Sequence, residues 1–401
     1  MNWLIFGDDW NGHPSTTQHL ALHLPTEDRV IWVNSIGMRS PALHLSDLRR
    51  LVNKARSAMR GAESRPVSQM ASACPRSIEV IPPLVLPWHH QPMARWFNAR
   101  LLRRSILAAI RRQAFERFTI LVSNPIAIFY LSGLPCECLC YLRLDDYPNL
   151  PGVDARLAIQ AEAQIMKVSQ ALFVTATNLL LPVAFENQHQ VCLSQGVDLQ
   201  HFAGIPLTPP RSRVLGFYGM LAEWLDYSLI ERVADASPDW TLELIGPIRS
   251  APESLRAKSN IRFLPPVSYA DLPRAIQHWD AAWIPFRINS LTRTVNPLKL
   301  REYLAAGLPT LSTPLPEVQA LGATVALSYT PEGVREWLES TVASDTAQRR
   351  QERRDAVREA GWDGRARILR DRVAQICDAS RAKGHSTRVP YSEAEPVLQV
   401  S

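Results

Sequence analysis

Short apolar runs alternate along the chain with longer segments whose apolar residues recur every three or four positions. The short runs have the length of buried strands, and the longer segments have the period of amphipathic helices. In the first half the predicted strands are residues 3–6, 30–33, 79–81, 119–122, 139–143, 171–175 and 191–193. After a proline-rich segment the alternation resumes, with predicted strands at 214–218, 241–245, 261–263, 281–285, 310–312 and 324–327. This order is typical of parallel α/β sheets.

The resumption of the pattern at residue 214 predicts an α/β protein of two doubly wound, Rossmann-like domains, and 401 residues suit two domains of ordinary size. We expect an N-terminal domain over 1–200, a linker over 201–213, a C-terminal domain over 214–360, a C-terminal helix over 361–380 and a mobile tail over 381–401. In such sheets ligands bind beyond the carboxyl ends of the strands, which predicts a site in the cleft where two domains face each other.

The charge of the chain is unevenly distributed. The formal net charge is +6, yet residues 1–120 alone carry 16 Lys and Arg against 8 Asp and Glu, a local charge of +8. The remainder is therefore slightly acidic. This asymmetry predicts an anionic partner for the N-terminal third, such as phospholipid, a pyrophosphate-linked substrate or nucleic acid.

The cysteines and the apolar runs indicate the compartment. Six cysteines in a chain of this length do not suggest a disulfide scaffold. Cys136, Cys138 and Cys140 share one face of a strand but lack the second pair of a zinc site, so we expect buried, reduced thiols and a cytoplasmic protein. No apolar run is long enough to span a bilayer, and the first ten residues do not resemble a signal peptide.

The most informative segment runs from residue 295 to residue 310. It predicts a loop, a helix that begins after Pro297 and ends at Gly307, and then a strand. Helix N-termini favour phosphate, and Arg293 and Lys299 add positive charge there. Glu302, one turn further on, could accept hydrogen bonds from a ribose diol. The alternative is an ordinary amphipathic helix with polar residues on its surface.

Several motifs, in order, resemble a known family. Lys299 followed by EYLAAGLP from Glu302 to Pro309 resembles the donor-nucleotide motif of GT-B glycosyltransferases, especially the family 4-like group. GVDLQHF at 196–202, LGFYGM at 215–220 and DWTLELIGP at 239–247 are similar to further elements of that family. Residues 9–20 and 144–147 resemble bacterial surface-polysaccharide glycosyltransferases, including the teichuronic-acid type. The resemblance covers roughly residues 1–375.

The resemblance implies roles for particular residues. Glu302 matches the glutamate that binds the ribose of the nucleotide sugar. Thr294 stands where typical members have a second glutamate that contacts the sugar, and the loop that begins at Gly219 lacks the usual Arg and Lys that hold the diphosphate. Our hypothesis is that Arg293 and Lys299 replace those missing contacts.

Other residues are candidates for acid–base chemistry. Asp145 and Asp146 follow a predicted strand near Arg143, where one carboxylate could activate an acceptor hydroxyl, although Asp-Asp-Tyr-Pro also favours a turn. His13, in the loop after the first strand, could contact a substrate or merely stabilise its loop. The chain contains no Asp-x-Asp motif, and we therefore expect no metal requirement.

The arginine-rich residues 93–117 predict a basic helix. Arg100, Arg104 and Arg111 fall on one face at helical spacing, roughly opposite Leu102 and Ile106. With Trp88, Trp96 and Phe97 nearby, this helix could contact an anionic membrane. The alternative is a helix packed on the sheet with a solvated arginine face, and no motif for nucleic-acid recognition accompanies the charge.

Taken with the resemblance, the sequence predicts a GT-B glycosyltransferase at the cytoplasmic membrane face. It would move a sugar from a nucleotide-diphospho sugar to a polysaccharide or lipid-linked glycan, with no cofactor besides that co-substrate. A sugar-nucleotide epimerase of the same fold and a binding or scaffold protein without turnover remain as alternatives.

Overall fold

The computed structural model describes residues 1–10, 14–37, 78–83, 85–86, 88–89, 91–181, 189–382 and 387–389. The chain divides into two compact units. The N-terminal unit comprises Met1–Val174, Leu180–Cys192 and Arg367–Ser401, and the C-terminal unit comprises Thr175–Leu179 and Leu193–Ala366.

The N-terminal unit is built on a parallel sheet of seven strands in the order β3-β2-β1-β4-β6-β7-β8. The strands of this unit, with the short β5 that lies outside the sheet, are β1 Asn2–Phe6, β2 Arg29–Val33, β3 Ile78–Ile81, β4 Thr119–Val122, β5 Pro135–Cys136, β6 Cys138–Arg143, β7 Ala171–Val174 and β8 His189–Cys192. Every strand predicted in the first half is confirmed. The central strands are apolar on both faces because helices cover both sides of a parallel sheet.

Three helices of this unit begin where the sequence signals a start. They are α1 Thr16–Leu22, α2 Pro92–Arg112 and α3 Ala155–Val168. Ser15 caps α1 in a capping box with Gln18, and the Asp154 carboxylate accepts from the Leu157 amide at 3.1 Å to cap α3. α2 instead begins with Pro92, whose missing N–H costs nothing at that position.

The C-terminal unit repeats the plan with a parallel sheet of six strands in the order β11-β10-β9-β12-β13-β14. Its strands are β9 Val214–Tyr218, β10 Thr241–Ile245, β11 Ile261–Leu264, β12 Ala281–Ile284, β13 Thr310–Ser312 and β14 Ala326–Leu327. Its helices are α4 Leu199–Phe202, α5 Tyr227–Ala236, α6 Glu253–Arg256, α7 Leu272–Ile276, α8 Leu298–Ala305, α9 Pro316–Gln319, α10 Pro331–Trp337 and α11 Ala347–Ala356. The strands predicted in the second half are also confirmed.

The helix between residues 295 and 310 ends as the sequence indicates. α8 ends before Gly307, whose φ of +80° few other residues adopt. The Leu308 amide donates to the Tyr303 carbonyl at 3.0 Å and the Gly307 amide to the Leu304 carbonyl at 2.9 Å. These two bonds form a Schellman motif that satisfies the last carbonyls of the helix.

The segment expected to be a linker is part of the C-terminal unit. Phe202 and Ile205 are almost fully buried in its core, and Val197 forms a parallel bridge with Gly361. The apolar side chains at these positions explain why residues 193–213 pack here rather than forming an exposed connection. The chain enters the C-terminal unit briefly over Thr175–Leu179 and continues in it from Leu193 to Ala366.

The last helix, α12 Trp362–Ala382, belongs largely to the N-terminal unit. The Thr119 hydroxyl lies 3.6 Å from the Cys377 sulfur, and the Arg370 guanidinium lies 3.0 Å from the buried Asp28 carboxylate. The expected tail also contains an ordered part, because β15 Thr387–Arg388 pairs antiparallel with β5. Residues 390–401 lie outside the described residues.

Candidate functional site

The first part of the candidate site lies where β9 ends. Gly219 follows Tyr218 with a φ of +131°, and its amide donates to the Ile245 carbonyl at 2.9 Å. A Cβ at this position would lie 2.2 Å from Cε of Lys299, closer than two carbon atoms can approach. Glycine therefore leaves the space through which the Lys299 side chain passes, and the structure brings these two predicted residues together.

Lys299 is a partly exposed cation in the first turn of α8. Its Nζ lies 5.6 Å from the centroid of the Phe217 ring. Desolvation lowers the pKa of Lys299, and the charge of Glu302 opposes that shift. The N-cap of α8 is Pro297 and has no side-chain capping bond. A lysine beside an uncapped helix N-terminus forms a suitable site for a phosphate group.

Glu302 lies one turn further along α8 and is almost fully buried. The Tyr218 hydroxyl donates a hydrogen bond to one of its carboxylate oxygens, and the Tyr218 amide donates to the Tyr303 hydroxyl at 3.1 Å. Burial raises the pKa of Glu302, while Tyr218 and Lys299 lower it. In the described part of the chain only Tyr218 donates to this carboxylate, so its second oxygen can accept from a ligand hydroxyl.

Arg293 and Thr294 lie on the adjoining turn Thr292–Thr294, which leads into α8. The Thr294 hydroxyl donates to the Leu291 carbonyl at 2.7 Å, and the Arg293 carbonyl accepts from the Asn178 side chain at 2.9 Å. The Arg293 side chain is exposed and forms no ion pair with any described residue. Four of the predicted donor-site residues therefore lie on α8 or on the turn before it, namely Arg293, Thr294, Lys299 and Glu302. The fifth, Gly219, lies against the Lys299 side chain.

A buried network that the sequence did not reveal holds the start of α8. Arg301 donates to the Asn296 side-chain oxygen at 2.7 Å, and the Asn296 amide group donates to Glu317 at 3.1 Å and to the Thr175 carbonyl at 2.9 Å. Glu317 also accepts from the amide and the hydroxyl of Thr177, both at 2.6 Å. These partners come from three separate segments of the chain, so their spacing in the sequence gave no signal of the network.

Arg287 is a second feature that sequence reasoning missed. It follows β12 directly, and its amide donates to the Trp224 carbonyl at 2.8 Å. The Asp226 amide donates to the Pro285 carbonyl at 2.8 Å, and Leu225 bridges Phe286. This residue is therefore fixed beside the loop after β9 that lacks Arg and Lys. The rule that ligands bind at the carboxyl ends of parallel strands could have found it.

In the N-terminal unit, Asp145 and Asp146 follow β6 as predicted. Burial, followed by the negative charges of Asp8 and Asp146, raises the pKa of Asp145 to about 6. Asp146 instead accepts from the Asn149 side chain at 2.6 Å, a turn contact of the kind considered above. Arg143 is engaged elsewhere, because it forms an ion pair with Glu162 at 2.8 Å. His13 lies outside the described residues.

The basic helix α2 has the predicted faces and an additional apolar patch. Leu102 and Ile106 are buried, whereas Arg100, Arg104 and Arg111 are exposed. At its first turn Met93, Trp96 and Phe97 are 85%, 62% and 45% exposed, and Trp88 nearby is 41% exposed. We call the four exposed apolar residues Trp88, Met93, Trp96 and Phe97 the apolar patch.

In the described part of the chain, all but one of the cysteines are buried. Cys136, Cys138, Cys140 and Cys377 are buried free thiols, and the sulfurs of Cys138 and Cys140 lie 3.4 Å apart. The burial of Cys136, Cys138 and Cys140 agrees with the expectation, whereas Cys192 is exposed because it ends the edge strand β8. Within the described ranges no cluster of His, Cys, Asp or Glu could hold a metal ion, and no helix is both long and apolar enough to cross a membrane.

Comparison with known proteins bears on the fold of the chain. No family model matches the chain. The protein is 29% identical over 187 residues to TuaH of Bacillus subtilis (strain 168), which is assigned as a glycosyltransferase of teichuronic acid biosynthesis. These residues are 44% of this chain and 46% of TuaH, so the match spans less than half of that relative.

Two solved structures match nearly the whole chain. HepE of Anabaena, solved in complex with UDP and glucose, has a TM-score of 0.57 at 12% identity and covers 93% of this chain and 99% of its own. A glycosyltransferase of Rickettsia africae has a TM-score of 0.62 at 12% identity and covers 94% and 98%. The two parallel sheets and these matches confirm the predicted resemblance, and the chain has the GT-B fold with two Rossmann-like units.

Proposed function

We propose that this protein is a glycosyltransferase that moves a sugar from a UDP sugar to a hydroxyl group of a polysaccharide or lipid-linked glycan. The observation that carries the proposal is the side chain of Lys299, which passes over Gly219 at the start of α8, one turn before the buried Glu302. The complex of the similar HepE with UDP and glucose supports a uridine nucleotide, and the match to TuaH supports a cell-envelope polysaccharide.

The donor would lie along α8. The free carboxylate oxygen of Glu302 accepts from the ribose hydroxyls, and Lys299 with the amides of the first turn stabilises the diphosphate. Positive charge at the leaving group replaces a divalent cation in this scheme. Transfer should therefore continue undiminished in the presence of EDTA.

The acceptor hydroxyl would be deprotonated by Asp145. Its oxygen forms a bond to the anomeric carbon, the bond from that carbon to the β-phosphate oxygen breaks, and the proton passes to the carboxylate. The pKa of Asp145, raised to about 6, leaves the carboxylate ionised at neutral pH and basic enough to accept the proton.

The enzyme would meet its acceptor at an anionic phospholipid surface, at the cytoplasmic face of the plasma membrane. The apolar patch would enter the interfacial region, and Arg100, Arg104 and Arg111 on the same helix would attract the headgroups. Arg103 is not available for this role, since it donates to the Ser132 carbonyl at 2.9 Å. The local charge of +8 in residues 1–120 supports an anionic partner.

Calorimetric titration of UDP into the full chain tests the donor site. Lys299→Ala should weaken binding by about tenfold or more, because it removes a charge-assisted contact to the diphosphate. Lys258→Ala is the matched control, since Lys258 pairs with Asp235 on the surface of the same unit. An unchanged UDP affinity in Lys299→Ala would contradict the assignment.

Turnover assays separate the enzyme classes. Sugar transfer to a glycan acceptor supports the proposal, whereas interconversion of the UDP sugar without an acceptor would show an epimerase. Binding without transfer or hydrolysis would show a protein that has lost turnover, a possibility favoured by the missing Arg and Lys after β9.

A further inference from the structure

Two carboxylates follow strands that leave the N-terminal sheet at the same edge. Asp8 follows β1 and Asp145 follows β6, with β4 between the two strands. Phe6 pairs with Val122 and Val122 pairs with Tyr141, so the three strands are in step at this edge. Neighbouring strands lie about 4.8 Å apart, which separates β1 from β6 by about 10 Å. The loops that carry the two carboxylates therefore begin close to each other.

Ser123, the residue after β4, anchors both loops. Its amide and its hydroxyl donate to the Phe6 carbonyl at 2.9 Å and 3.0 Å. Its carbonyl accepts from the Tyr147 hydroxyl. Phe6 lies two residues before Asp8, and Tyr147 lies two residues after Asp145. One residue of the central strand thus holds the backbone on either side of the pair.

The loop after β1 is also held at Asp8 itself. The Trp32 indole N–H donates to the Asp8 carbonyl at 3.0 Å. A Cβ at Gly7 would lie 2.3 Å from the same ring, so the glycine allows the indole to reach the loop. The Ser15 hydroxyl forms a hydrogen bond with the Asp8 carboxylate. These contacts fix both the backbone and the side chain of Asp8.

The charges that act on Asp145 are negative. Desolvation, then the charge of Asp8 and then that of Asp146, raises the pKa of Asp145 to about 6. Asp8 therefore affects Asp145 more than its sequence neighbour Asp146 does. Desolvation raises the pKa of Asp8 as well, while its bond with Ser15 opposes that shift.

The other titratable groups around the pair do not offset this charge. Arg143, at the end of β6, forms its ion pair with Glu162 on α3 at 2.8 Å. Tyr147 stays neutral, because burial and the charges of Asp145 and Asp8 raise its pKa well above its ordinary value. The repulsion between Asp8 and Asp145 is therefore left in place when both are ionised.

We propose that Asp8 is a positioning residue for sugar transfer, which acts through Asp145 and strengthens it as the base for the acceptor hydroxyl. When the hydroxyl proton passes to Asp145, the repulsion between two anions is relieved, and this favours the transfer of the proton. Asp8 takes up no proton in this scheme. The inference rests on the proposed function and adds a residue to the same site.

Titration of the free protein tests the coupling without any substrate. Carbon NMR of the full chain, labelled at the side-chain carboxyl carbon of aspartate, follows Asp145, whose signal is assigned by its absence from Asp145→Asn. Asp8→Asn should lower the pKa of Asp145 by about half a pH unit or more, because it removes a nearby negative charge. Asp146→Asn should lower it by less.

Two further variants control for the loop. Asp9→Asn removes the same charge from the exposed neighbouring position and should leave the pKa of Asp145 nearly unchanged. Asp8→Glu keeps the charge and should retain most of the raised pKa, which separates loss of charge from damage to the loop.

The pH profile of transfer connects the coupling with the reaction. With the donor and acceptor found in the turnover assays, the acid limb of kcat/KM should move to lower pH in Asp8→Asn by the same amount as the titration of Asp145. It should return in Asp8→Glu. The rate at neutral pH should fall severalfold in Asp8→Asn, because a weaker base accepts the proton less readily. A merely structural role would lower the rate without moving the limb.

The outcomes separate the two proposals. An Asp145 pKa that is equal in Asp8→Asn and the wild type would overturn the inference and leave the glycosyltransferase proposal intact. An acid limb that stays in place while the pKa of Asp145 falls would also contradict it, since Asp8 would then not act on the reaction through Asp145. Absence of any transfer by the wild type would instead overturn the proposed function, a result on which the substrate-free titration does not depend.

Discussion

Gly219 and Lys299 show how one residue can decide where another lies. The sequence assigns both to donor binding, but it gives no sign that the lysine side chain needs the space where a Cβ would be. A glycine argued from a loop position becomes, in the structure, a glycine required by contact and by its φ of +131°. The candidate donor site thus depends on the absence of a side chain at Gly219 as much as on the presence of one at Lys299.

Gly219→Ala should lower the free energy of unfolding by about 1–3 kcal/mol, because it adds strain at a positive φ and displaces Lys299. It should also weaken UDP binding. Gly204→Ala is the control, since a Cβ there has no neighbour within 4 Å. Urea unfolding and UDP titration measure the two effects, and an alanine variant with unchanged values for both would exclude the proposed arrangement.

Asp145 should give transfer its pH dependence. The carboxylate must be ionised to accept a proton, so kcat/KM should rise with pH up to the raised pKa of about 6 and level off above it. Asp145→Asn should reduce kcat by about 10²–10⁴-fold. A rate profile that is flat between pH 5 and pH 8, or a variant with full activity, would remove Asp145 from the mechanism.

The raised pKa of Asp145 also affects the free energy of unfolding. Its effect has the opposite sign from that of an ion-paired carboxylate, whose pKa is lowered. A raised pKa means that the folded state binds the proton more tightly than the unfolded state does. The free energy of unfolding should therefore fall as pH rises from 3.8 toward about 6. Asp145→Asn should be more stable than the wild type at neutral pH, which separates loss of activity from loss of fold.

At the scale of elements, α8 and α12 differ in how well the sequence predicts their surroundings. Pro297, Gly307 and the apolar period between them predict both ends of α8. The sequence also predicts the extent of α12, but nothing local indicates that most of this helix packs on the N-terminal sheet. That placement depends on contacts with residues about 250 to 340 positions earlier in the chain.

The contact between α12 and Asp28, the residue before β2, should contribute measurably to stability. Burial alone would raise the pKa of Asp28, but hydrogen bonds, the largest from Arg370, lower it overall. Arg370→Ala leaves a fully buried carboxylate with fewer partners and should cost about 2–3 kcal/mol at pH 7. Arg372→Ala is the control, because this exposed arginine on α12 donates to Gln375 of the same helix and forms no ion pair with another described residue.

The pH dependence of this difference provides a check. Because the folded pKa of Asp28 is depressed, the stabilisation is present above the unfolded value of 3.8 and is lost as pH falls through the folded pKa. Chemical unfolding at neutral and acidic pH measures it. A difference between wild type and Arg370→Ala that stays constant through the acid range would argue against an ionic contribution.

At the scale of the whole molecule, the two units differ in charge and in chemistry. The C-terminal unit carries the candidate donor residues at the ends of β9 and β12. The N-terminal unit carries the basic helix α2 with its apolar patch, together with Asp145 at the end of β6. A modest net charge of +6 conceals this division, since the remainder of the chain is slightly acidic.

Membrane binding should depend on both properties of α2. Flotation with phosphatidylglycerol-containing vesicles should recover more protein than flotation with pure phosphatidylcholine. The double variant Trp96→Ser, Phe97→Ser should reduce the partition by about tenfold or more, since each aromatic side chain contributes about 1.5–3 kcal/mol when buried. Ile159→Ser is the control, because this exposed apolar side chain, 57% accessible, lies on α3 and not on α2. Equal recovery with both lipids would contradict the proposal.

The sequence by itself determined the local features of this protein. The spacing and the length of the apolar runs predicted the thirteen strands of the two parallel sheets. Pro297 and Gly307 predicted where α8 begins and ends. The motif from Lys299 to Pro309 predicted two of the candidate donor-site residues, Lys299 and Glu302. These features depend on backbone preference and on apolar spacing over a few residues, which a sequence displays directly.

The tertiary structure decided which distant residues meet. In the C-terminal unit it placed Lys299 over Gly219, bound Tyr218 to Glu302 and fixed Arg287 beside the loop after β9. In the N-terminal unit it paired Arg143 with Glu162. It also attached most of α12 to the N-terminal unit. Each of these contacts joins residues that are far apart in the chain. They follow from the packing of whole sheets and helices, whose geometry no local pattern contains.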